Sequence, residues 1–214
     1  MILTPIPREQ LAGTLDRFMA GLSHRCSRSV FRRIRATSPD RAAGAEAERH
    51  RLTALCFARG FGMTIHQEGT TCRFNWDGAV LNGSTEAYVI LHEVAHFALA
   101  PLERRSLIEF GLGPGPDTLD REEAERAAVL SPLARDEDEA AASLLGIVWE
   151  AALGQPALAS FLDQNWLEGL HRSAAGHFTA VVESLRRLNL LSVGRVPVAS
   201  TIPRGGRGPH CWWW

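Results

Sequence analysis

The sequence feature that most constrains the fold is an apolar run, residues 87–99, that contains a His-Glu-x-x-His motif at positions 92–96. Side chains four residues apart lie above one another on an α-helix, so His92 and His96 can bind one metal ion from a single face. Glu93 lies one step around this helix, where it can polarise a metal-bound water molecule. A buried helix with two unpaired histidines and a glutamate has a desolvation cost that a metal ion removes. We therefore predict a metal-binding helix; the alternative is two core histidines bonded to backbone carbonyls.

The composition restricts the chemistry further. The chain has 214 residues, of which 45% are hydrophobic, so it can bury one sizeable core. Its cationic side chains are all arginine, and the absence of lysine excludes mechanisms that need a lysine amine. The net charge of −1 does not favour binding to nucleic acid or to an anionic membrane. We expect a single metal-binding catalytic domain over residues 1–193 and an extended tail rich in Gly, Pro, Arg and Trp over residues 194–214.

Cysteine usage and hydropathy predict the compartment. Cys26, Cys56, Cys72 and Cys211 show neither C-x-x-C spacing nor a dense disulfide pattern, which is typical of reduced thiols in a cytoplasmic protein. The first residues lack the charged and apolar regions of a signal peptide. No apolar run is long enough to span a membrane. We therefore expect a cytoplasmic protein that binds neither a membrane nor nucleic acid directly.

The segment before the motif helix predicts a small β-structure. Residues 63–66 and 71–74 flank a turn at residues 68–69 and are typical of a β-hairpin, and residues 79–81 can add a third short strand. Most of the remaining chain has apolar residues at helical spacing. The predicted fold class is therefore α+β, mainly α, with a small β-hairpin or short sheet before the motif helix.

The boundaries of the central helices follow from local signals. Ser84 or Thr85 is positioned to cap the motif helix, and Pro101 to end it. The helices predicted after it cover residues 102–110, 118–130 and 136–153, with a break at Ser131-Pro132.

Two histidines leave a metal ion short of ligands, so a third must come from elsewhere in the chain. Our first candidate is Glu139, in the first turn of the predicted helix 136–153, where the apolar face begins. Glu150 lies three turns later in the same direction and is the second candidate. The alternative role for Glu139 is a helix N-terminal acid that reaches back to Asp136 in a capping-box manner. Periodicity alone leaves the ligand and capping roles of Glu139 equally open.

The stretch from residue 92 to residue 154 carries four motifs in sequence. They are the His-Glu-x-x-His motif followed by Phe97, Arg104-Arg105 before Glu109-Phe110-Gly111, the loop Gly115-Pro116-Asp117, and Glu139 on a helix that leads to Ala-Leu-Gly-Gln-Pro at residues 152–156. Together they resemble the elongation factor P hydroxylase family, bacterial non-haem iron enzymes whose fold is related to zinc-protease domains. The spacer between His96 and Glu139 is longer here, and Leu112-Gly113-Pro114 replaces the aromatic residues of that family.

The resemblance implies a zincin-like helical core and a ligand set of His92, His96 and Glu139. It also implies Fe(II) as the metal, and a modified lysine on elongation factor P, or on a similar protein, as the substrate. The candidates for contacts to the ligands or to the substrate are Arg104, Arg105, Glu109 and Tyr88. For the two arginines, the alternative is a surface salt bridge with Glu103 or Glu109.

The predicted triad has more than one possible chemistry. Two histidines and a carboxylate with open coordination positions suit Fe(II) and oxygen activation, which is the interpretation we prefer. The same triad describes a gluzincin-type zinc peptidase in which Zn2+ lowers the pKa of a bound water molecule and Glu93 acts as general base. A third alternative is a non-catalytic scaffold stabilised by a metal, which requires a closed site with four ligands.

Overall fold

The computed structural model of the protein describes residues 6–66, 71–168 and 173–191. The α-helices of these residues are Arg8–Gly21 (α1), Arg25–Arg35 (α2), Gly44–Gly60 (α3), Ala87–Leu99 (α4), Leu102–Arg105 (α5), Arg121–Arg126 (α6), Pro132–Ala152 (α7), Ala157–Asp163 (α8) and Ala174–Arg187 (α9). A 3₁₀ helix covers Ile108–Gly111, and the strands Thr64–Ile65 (β1) and Val80–Leu81 (β2) form a two-stranded sheet. The predicted mainly helical α+β fold with a short sheet before the motif helix is confirmed.

None of the helices in these three ranges has the length and apolarity needed to cross a lipid bilayer. The longest of them, α7, has 21 residues, and its first half carries several charged side chains. The tail predicted for residues 194–214, including Trp212, Trp213 and Trp214, lies outside the described residues.

The short sheet does not contain the predicted hairpin. β1 pairs in parallel with β2, and residues 71–74 form no strand. A tight turn explains the difference, because the Asp77 carboxylate accepts hydrogen bonds from the backbone amides two and three residues later, at 2.9 and 2.7 Å. This turn brings Trp76 against Leu81 in an antiparallel bridge, so β1 pairs with the opposite edge of β2. The turn predicted at residues 68–69 lies outside the described residues.

The motif helix is α4, and it ends before Pro101 as predicted. Its N-cap residue is Glu86, and no side chain caps the helix, so the cap predicted at Ser84 or Thr85 is wrong. The Thr85 hydroxyl instead donates to the Asn82 carbonyl at 3.4 Å. A helix start without a side-chain cap indicates that burial of the apolar side chains, rather than local capping, stabilises α4.

The start of α7 differs from the prediction in a way that matters for the site. Ser131 accepts a hydrogen bond from the Ala134 amide, and Pro132 is the first helical residue. The Ser-Pro pair thus lies at the break between helices as predicted, but it also begins α7, four residues before the predicted start at Asp136. Glu139 therefore lies two turns inside α7, where it cannot act as a helix N-terminal acid. The capping role that the sequence left open for Glu139 is wrong. The preceding charged helix, α6, is also shorter than predicted.

The predicted helix over residues 102–110 is divided into α5 and the 3₁₀ helix. Glu109 and Phe110 have φ values of 46° and 53°, in the left-handed region that side chains other than glycine rarely adopt. The Glu109 amide donates to the Trp76 carbonyl at 2.9 Å, a long-range bond that replaces a helical one. As a result, the Glu109 side chain is buried.

Close packing of α4 against α7 brings the two candidate ligand helices together. A Cβ atom on Gly146 of α7 would lie only 3.3 Å from both the amide nitrogen and the Cα of His92. The missing side chain therefore allows the backbones to approach directly behind the first histidine. Beyond this contact, the core continues into an aromatic cluster between α1, α2, α8 and α9 that contains Phe18, Phe31, Phe161 and Phe178.

Candidate metal centre

The structure brings His92, His96 and Glu139 together. The two histidine Nε2 atoms are 3.0 Å apart, and Glu139 Oε2 lies 3.4 Å from the Nε2 of His92 and 3.5 Å from that of His96. Metal bonds of about 2.0–2.2 Å from a single ion reach all corners of a triangle of this size. Among the described residues, this is the one group of three or more His, Cys, Asp or Glu side chains with the spacing to hold a metal. The donor set and its geometry fit a divalent transition metal.

The ligand side chains perturb one another electrostatically. Burial lowers the pKa of His92, and the neighbouring His96 lowers it further. Burial alone would lower the pKa of His96, but its hydrogen bonds to Asp138 and Glu139 raise it to about 10. Burial alone would raise the pKa of Glu139, but hydrogen bonds to both histidines hold it well below its ordinary range. The arrangement keeps Glu139 anionic, which is the form that binds a metal ion.

A cavity of about 490 Å³ opens in front of this cluster. All three ligand side chains contribute to its wall, so the remaining coordination positions of a bound ion face open space. The acidic residues in the wall are Glu93, Glu109, Asp117, Glu139 and Glu168. None of the described lining residues is an arginine, and the chain contains no lysine. Asp117 and Glu168, which are exposed, therefore give the cavity wall an acidic character.

Glu93 and Glu109 form a pair of buried carboxyl groups in the cavity wall, each only 6% exposed. Burial raises the pKa of Glu93 from 4.5 to about 8, and the nearby Glu109 carboxylate adds to this rise. Glu109 accepts hydrogen bonds from the amides of Asn75 and Trp76 at 3.1 and 3.4 Å and from the Thr118 hydroxyl at 2.9 Å. The backbone of Glu109 is in the left-handed region. Strained backbone of this kind is typical of functional sites, where the surrounding structure compensates the strain. Glu93 is thus placed to hold a proton beside the ligands.

Arg104 reaches the site through Asp138, a residue that sequence reasoning missed. Asp138 Oδ1 lies 3.0 Å from His96 Nδ1, and Arg104 Nη2 donates to Asp138 Oδ2 at 2.6 Å. Burial alone would raise the pKa of Asp138, but His96 and Arg104 hold it below its ordinary range. In the sequence, the one signal of this role for Asp138 is that it directly precedes Glu139. Adjacent residues of a helix can reach the two sides of one imidazole ring.

The structure places Arg105 and Tyr88 differently. The Arg105 Nε donates to the Ala100 carbonyl at 3.0 Å, and its guanidinium lies 4.6 Å from the centre of the Phe97 ring. Arg105 therefore secures the end of α4, and it is not among the described residues that line the cavity. Tyr88 does line the cavity, and the Arg41 guanidinium lies 3.8 Å from the centre of its ring.

Glu150, the second candidate for the third ligand, lies away from the cluster. It is 2% exposed, and its Oε2 accepts a hydrogen bond from the Ser160 hydroxyl at 2.7 Å. The nearest cation described is Arg41, whose Nη1 is 3.9 Å from the same oxygen. These contacts join α7 to α8 in the core, so the group that could hold a metal contains Glu139 and not Glu150.

The cavity wall also includes residues of the segment after α8 that no sequence motif indicated. The Trp166 ring stacks on His177 with 5.3 Å between ring centres and 9° between planes, and both side chains line the cavity. The Trp166 Nε1 donates to Ser143 of α7 at 2.9 Å, which fixes this segment to the helix that carries Glu139.

Comparison with known proteins adds no assignment, since no family model, curated protein or solved structure matches the chain.

Proposed function

We propose that this chain is a metal-dependent enzyme that hydroxylates a cationic side chain of a protein substrate, with Fe(II) bound by His92, His96 and Glu139. The observation that carries the proposal is the position of the triad in the wall of an open, acidic cavity. A 2-His-1-carboxylate set with open positions is the ligand arrangement of non-haem Fe(II) oxygenases, and the bound ion would supply the activation of O2. One oxygen atom would enter the C–H bond of the substrate, and an external two-electron reductant would convert the other to water. On this proposal the fold is zincin-like, with the third ligand on a helix that follows the motif helix, and the protein is cytoplasmic.

The side chains of the site have separate roles. His92 and His96 would provide neutral nitrogen donors once the ion has displaced the Nε2 proton of His96, whose pKa without the ion is about 10. Glu139 would provide the negative charge. Glu93 takes up and returns a proton at its carboxyl group during turnover, because it is buried in the same wall with a raised pKa of about 8. The segment that contains Trp166, which is hydrogen-bonded to Ser143 of α7, forms part of the wall of this open cavity.

The lining of the cavity supports a cationic substrate group. Asp117 and Glu168 are exposed at its wall, and no described lining residue is an arginine. An acidic concave surface raises the local concentration of a cation and repels an anionic group. This agrees with the modified lysine of elongation factor P, or of a similar protein, which the motif resemblance implies.

A zinc metallopeptidase is the second candidate. Glu93 lines the same cavity as the three ligands, which is where a gluzincin places its general base. A non-catalytic scaffold has less support, because no fourth side chain joins the triad within the described ranges.

The test is a turnover experiment on protein purified without oxygen and loaded with Fe(II) or with Zn2+. Each form is mixed with a two-electron reductant and with elongation factor P that carries its lysine modification, O2 is admitted, and products are analysed by mass spectrometry. We expect a mass increase of one oxygen atom in the Fe(II) sample only, and none with the Glu139→Ala variant. Cleavage of peptide bonds by the zinc form would replace the proposal with the peptidase. If neither form reacts, and other lysine-bearing proteins also stay unmodified, the non-catalytic scaffold becomes the remaining interpretation.

A further inference from the structure

We infer that Asp138, held in place by Arg104, is a positioning residue that sets the orientation and the tautomer of the metal ligand His96. The inference rests on the metal site proposed above, and it adds residues that act on the metal through His96 without touching it. Consecutive residues of α7 then have complementary tasks: Asp138 supports one ligand, and Glu139 is another.

The two nitrogens of His96 face different partners. Nε2 belongs to the ligand triangle, whereas Nδ1 lies 3.0 Å from Asp138 Oδ1. A carboxylate only accepts hydrogen bonds, so the Nδ1 atom must carry the proton of this contact. A neutral imidazole protonated at Nδ1 presents its lone pair at Nε2, towards the metal. The contact therefore selects the tautomer that binds.

Arg104 fixes the carboxylate that makes this selection. Its Nη2 donates to Asp138 Oδ2 at 2.6 Å, so both oxygens of Asp138 are engaged and the group cannot rotate freely. The side chains of Arg104 and Asp138 are only 10% and 16% exposed, so water screens the pair poorly. Arg104 lies on α5, which follows α4 directly, and the pair therefore ties the end of the motif helix to the helix that carries the third ligand.

His92 has no comparable support. Its Nδ1 is buried and has no hydrogen-bond partner in the part of the chain that the structure describes. The two histidines are therefore unequal: the ring of His96 has polar contacts at both nitrogens, whereas that of His92 has them at Nε2 only, to His96 and Glu139. Loss of the Asp138 contact would therefore leave neither histidine with a hydrogen bond at Nδ1 among the described residues.

The experiment measures Co2+ affinity of the full chain, prepared metal-free, by the absorption of the bound ion. The key variant is Asp138→Ala, and the matched control is Glu137→Ala, which removes an exposed acid from the preceding position of the same helix. Removal of an outer partner of a metal-bound histidine weakens metal binding roughly 10–100-fold, and we expect a loss in this range for Asp138→Ala. Glu137→Ala should bind Co2+ as the wild type does.

A second readout follows the proton itself. In 15N NMR spectra of the zinc-loaded wild type, the His96 Nδ1 should carry a proton in slow exchange with water, and this signal should be lost in Asp138→Ala. Asp138→Asn serves if the alanine variant does not fold, since asparagine keeps an acceptor without the charge. Its affinity should lie between those of the wild type and Asp138→Ala.

The outcomes separate the two proposals. Wild-type protein that binds no Co2+ overturns the metal site and this inference together. Wild-type protein that binds Co2+ with an affinity unchanged in both Asp138 variants overturns the inference alone and leaves Asp138 and Arg104 as a structural link between helices. Lower thermal stability with unchanged affinity and an unchanged Nδ1 signal would likewise overturn the inference alone.

Discussion

The two ends of α7 hold acidic side chains of opposite character. Near its start, Glu139 faces two histidines and an open cavity, and these partners hold its pKa well below the ordinary range although burial opposes them. Near its end, Glu150 lies in the core beside Ser160, and burial raises its pKa from 4.5 to about 7 despite that hydrogen bond. Burial alone thus favours a neutral carboxyl group, whereas paired imidazoles favour an anion. The environment, more than the position on an apolar helix face, therefore separates a candidate metal ligand from a core residue.

Replacing the acid at each end of α7 is expected to give the largest difference in Co2+ affinity between two variants. Glu139→Ala removes one of three ligands and should weaken Co2+ binding by more than about 100-fold, since loss even of an outer partner costs up to that factor. Glu150→Gln keeps a side chain of the same size near Ser160 and should leave the Co2+ affinity unchanged. Titration of both metal-free variants checks the pair. Equal affinities in the two variants would remove the distinction between the ends of the helix.

Glu93 and Glu150 both have a raised pKa, but only Glu93 lines the cavity. Replacing Glu93 tests whether this position gives it a role in turnover. Glu93→Gln should retain the metal but lower turnover by about 100-fold or more, the usual contribution of a positioned acid or base. Glu86→Gln, an exposed change at the start of the same helix, is the control and should leave turnover unaltered. Metal content and product formation are measured on the same samples. Full turnover by Glu93→Gln would exclude Glu93 from the chemistry.

The core end of α7 is expected to make stability depend on pH. The folded-state pKa of Glu150 is raised, so the folded protein retains a proton that the unfolded chain has released, and stability falls as the pH rises from about 4.5 to about 7. The full effect corresponds to about 3 kcal/mol of unfolding free energy. Glu150→Gln imitates the neutral form, so it should match the wild type near pH 5 and exceed it near pH 8.

Urea unfolding at both pH values provides the measurement, and Glu137→Gln, an exposed acid of the same helix, is the control. A stability difference between Glu150→Gln and the wild type that is the same at both pH values would show that Glu150 is charged throughout. The contrast between the two ends of α7 would then be lost.

Gly146 lies between Glu139 and Glu150 on α7. Its replacement has the smallest expected effect and tests only the packing behind His92. A helical glycine replaced by alanine normally gains about 1 kcal/mol of stability. At Gly146 the new Cβ would lie 3.3 Å from the His92 backbone, so this gain should vanish and Co2+ binding should weaken several-fold as His92 shifts. Gly13→Ala on α1 has ordinary space, with its nearest contact at 3.6 Å, and should show the gain without a change in affinity. A full gain at Gly146 would mean that the helix contact does not position His92.

The ligand set is the part of the site that the sequence predicts best, for a physical reason. The four-residue spacing of His92 and His96 determines their geometry on any helix, and the span of the motif helix follows from its apolar run and Pro101. Glu139 is harder to assign from sequence, because its role depends on where α7 begins. The Ser131-Pro132 pair lies at the break between α6 and α7 and is also a helix start signal, so α7 begins four residues before the predicted Asp136.

The remaining features depend on contacts that local pattern does not encode. The parallel pairing of β1 with β2 replaces a hairpin because the Asp77 turn occupies the neighbouring edge. Glu109 is turned inward by a backbone bond to Trp76, which is distant in sequence. The contact between Asp138 and His96 likewise joins two helices at a crossing that only tertiary packing determines.

The metal content of protein purified without oxygen, compared between the wild type and Glu139→Ala, tests the proposed site most directly. We expect iron in an equimolar amount in the wild type and almost none in the variant, because the proposed ligands are His92, His96 and Glu139. Stoichiometric zinc in the wild type would contradict the hydroxylase proposal. Metal that persists undiminished in Glu139→Ala would contradict the ligand set itself.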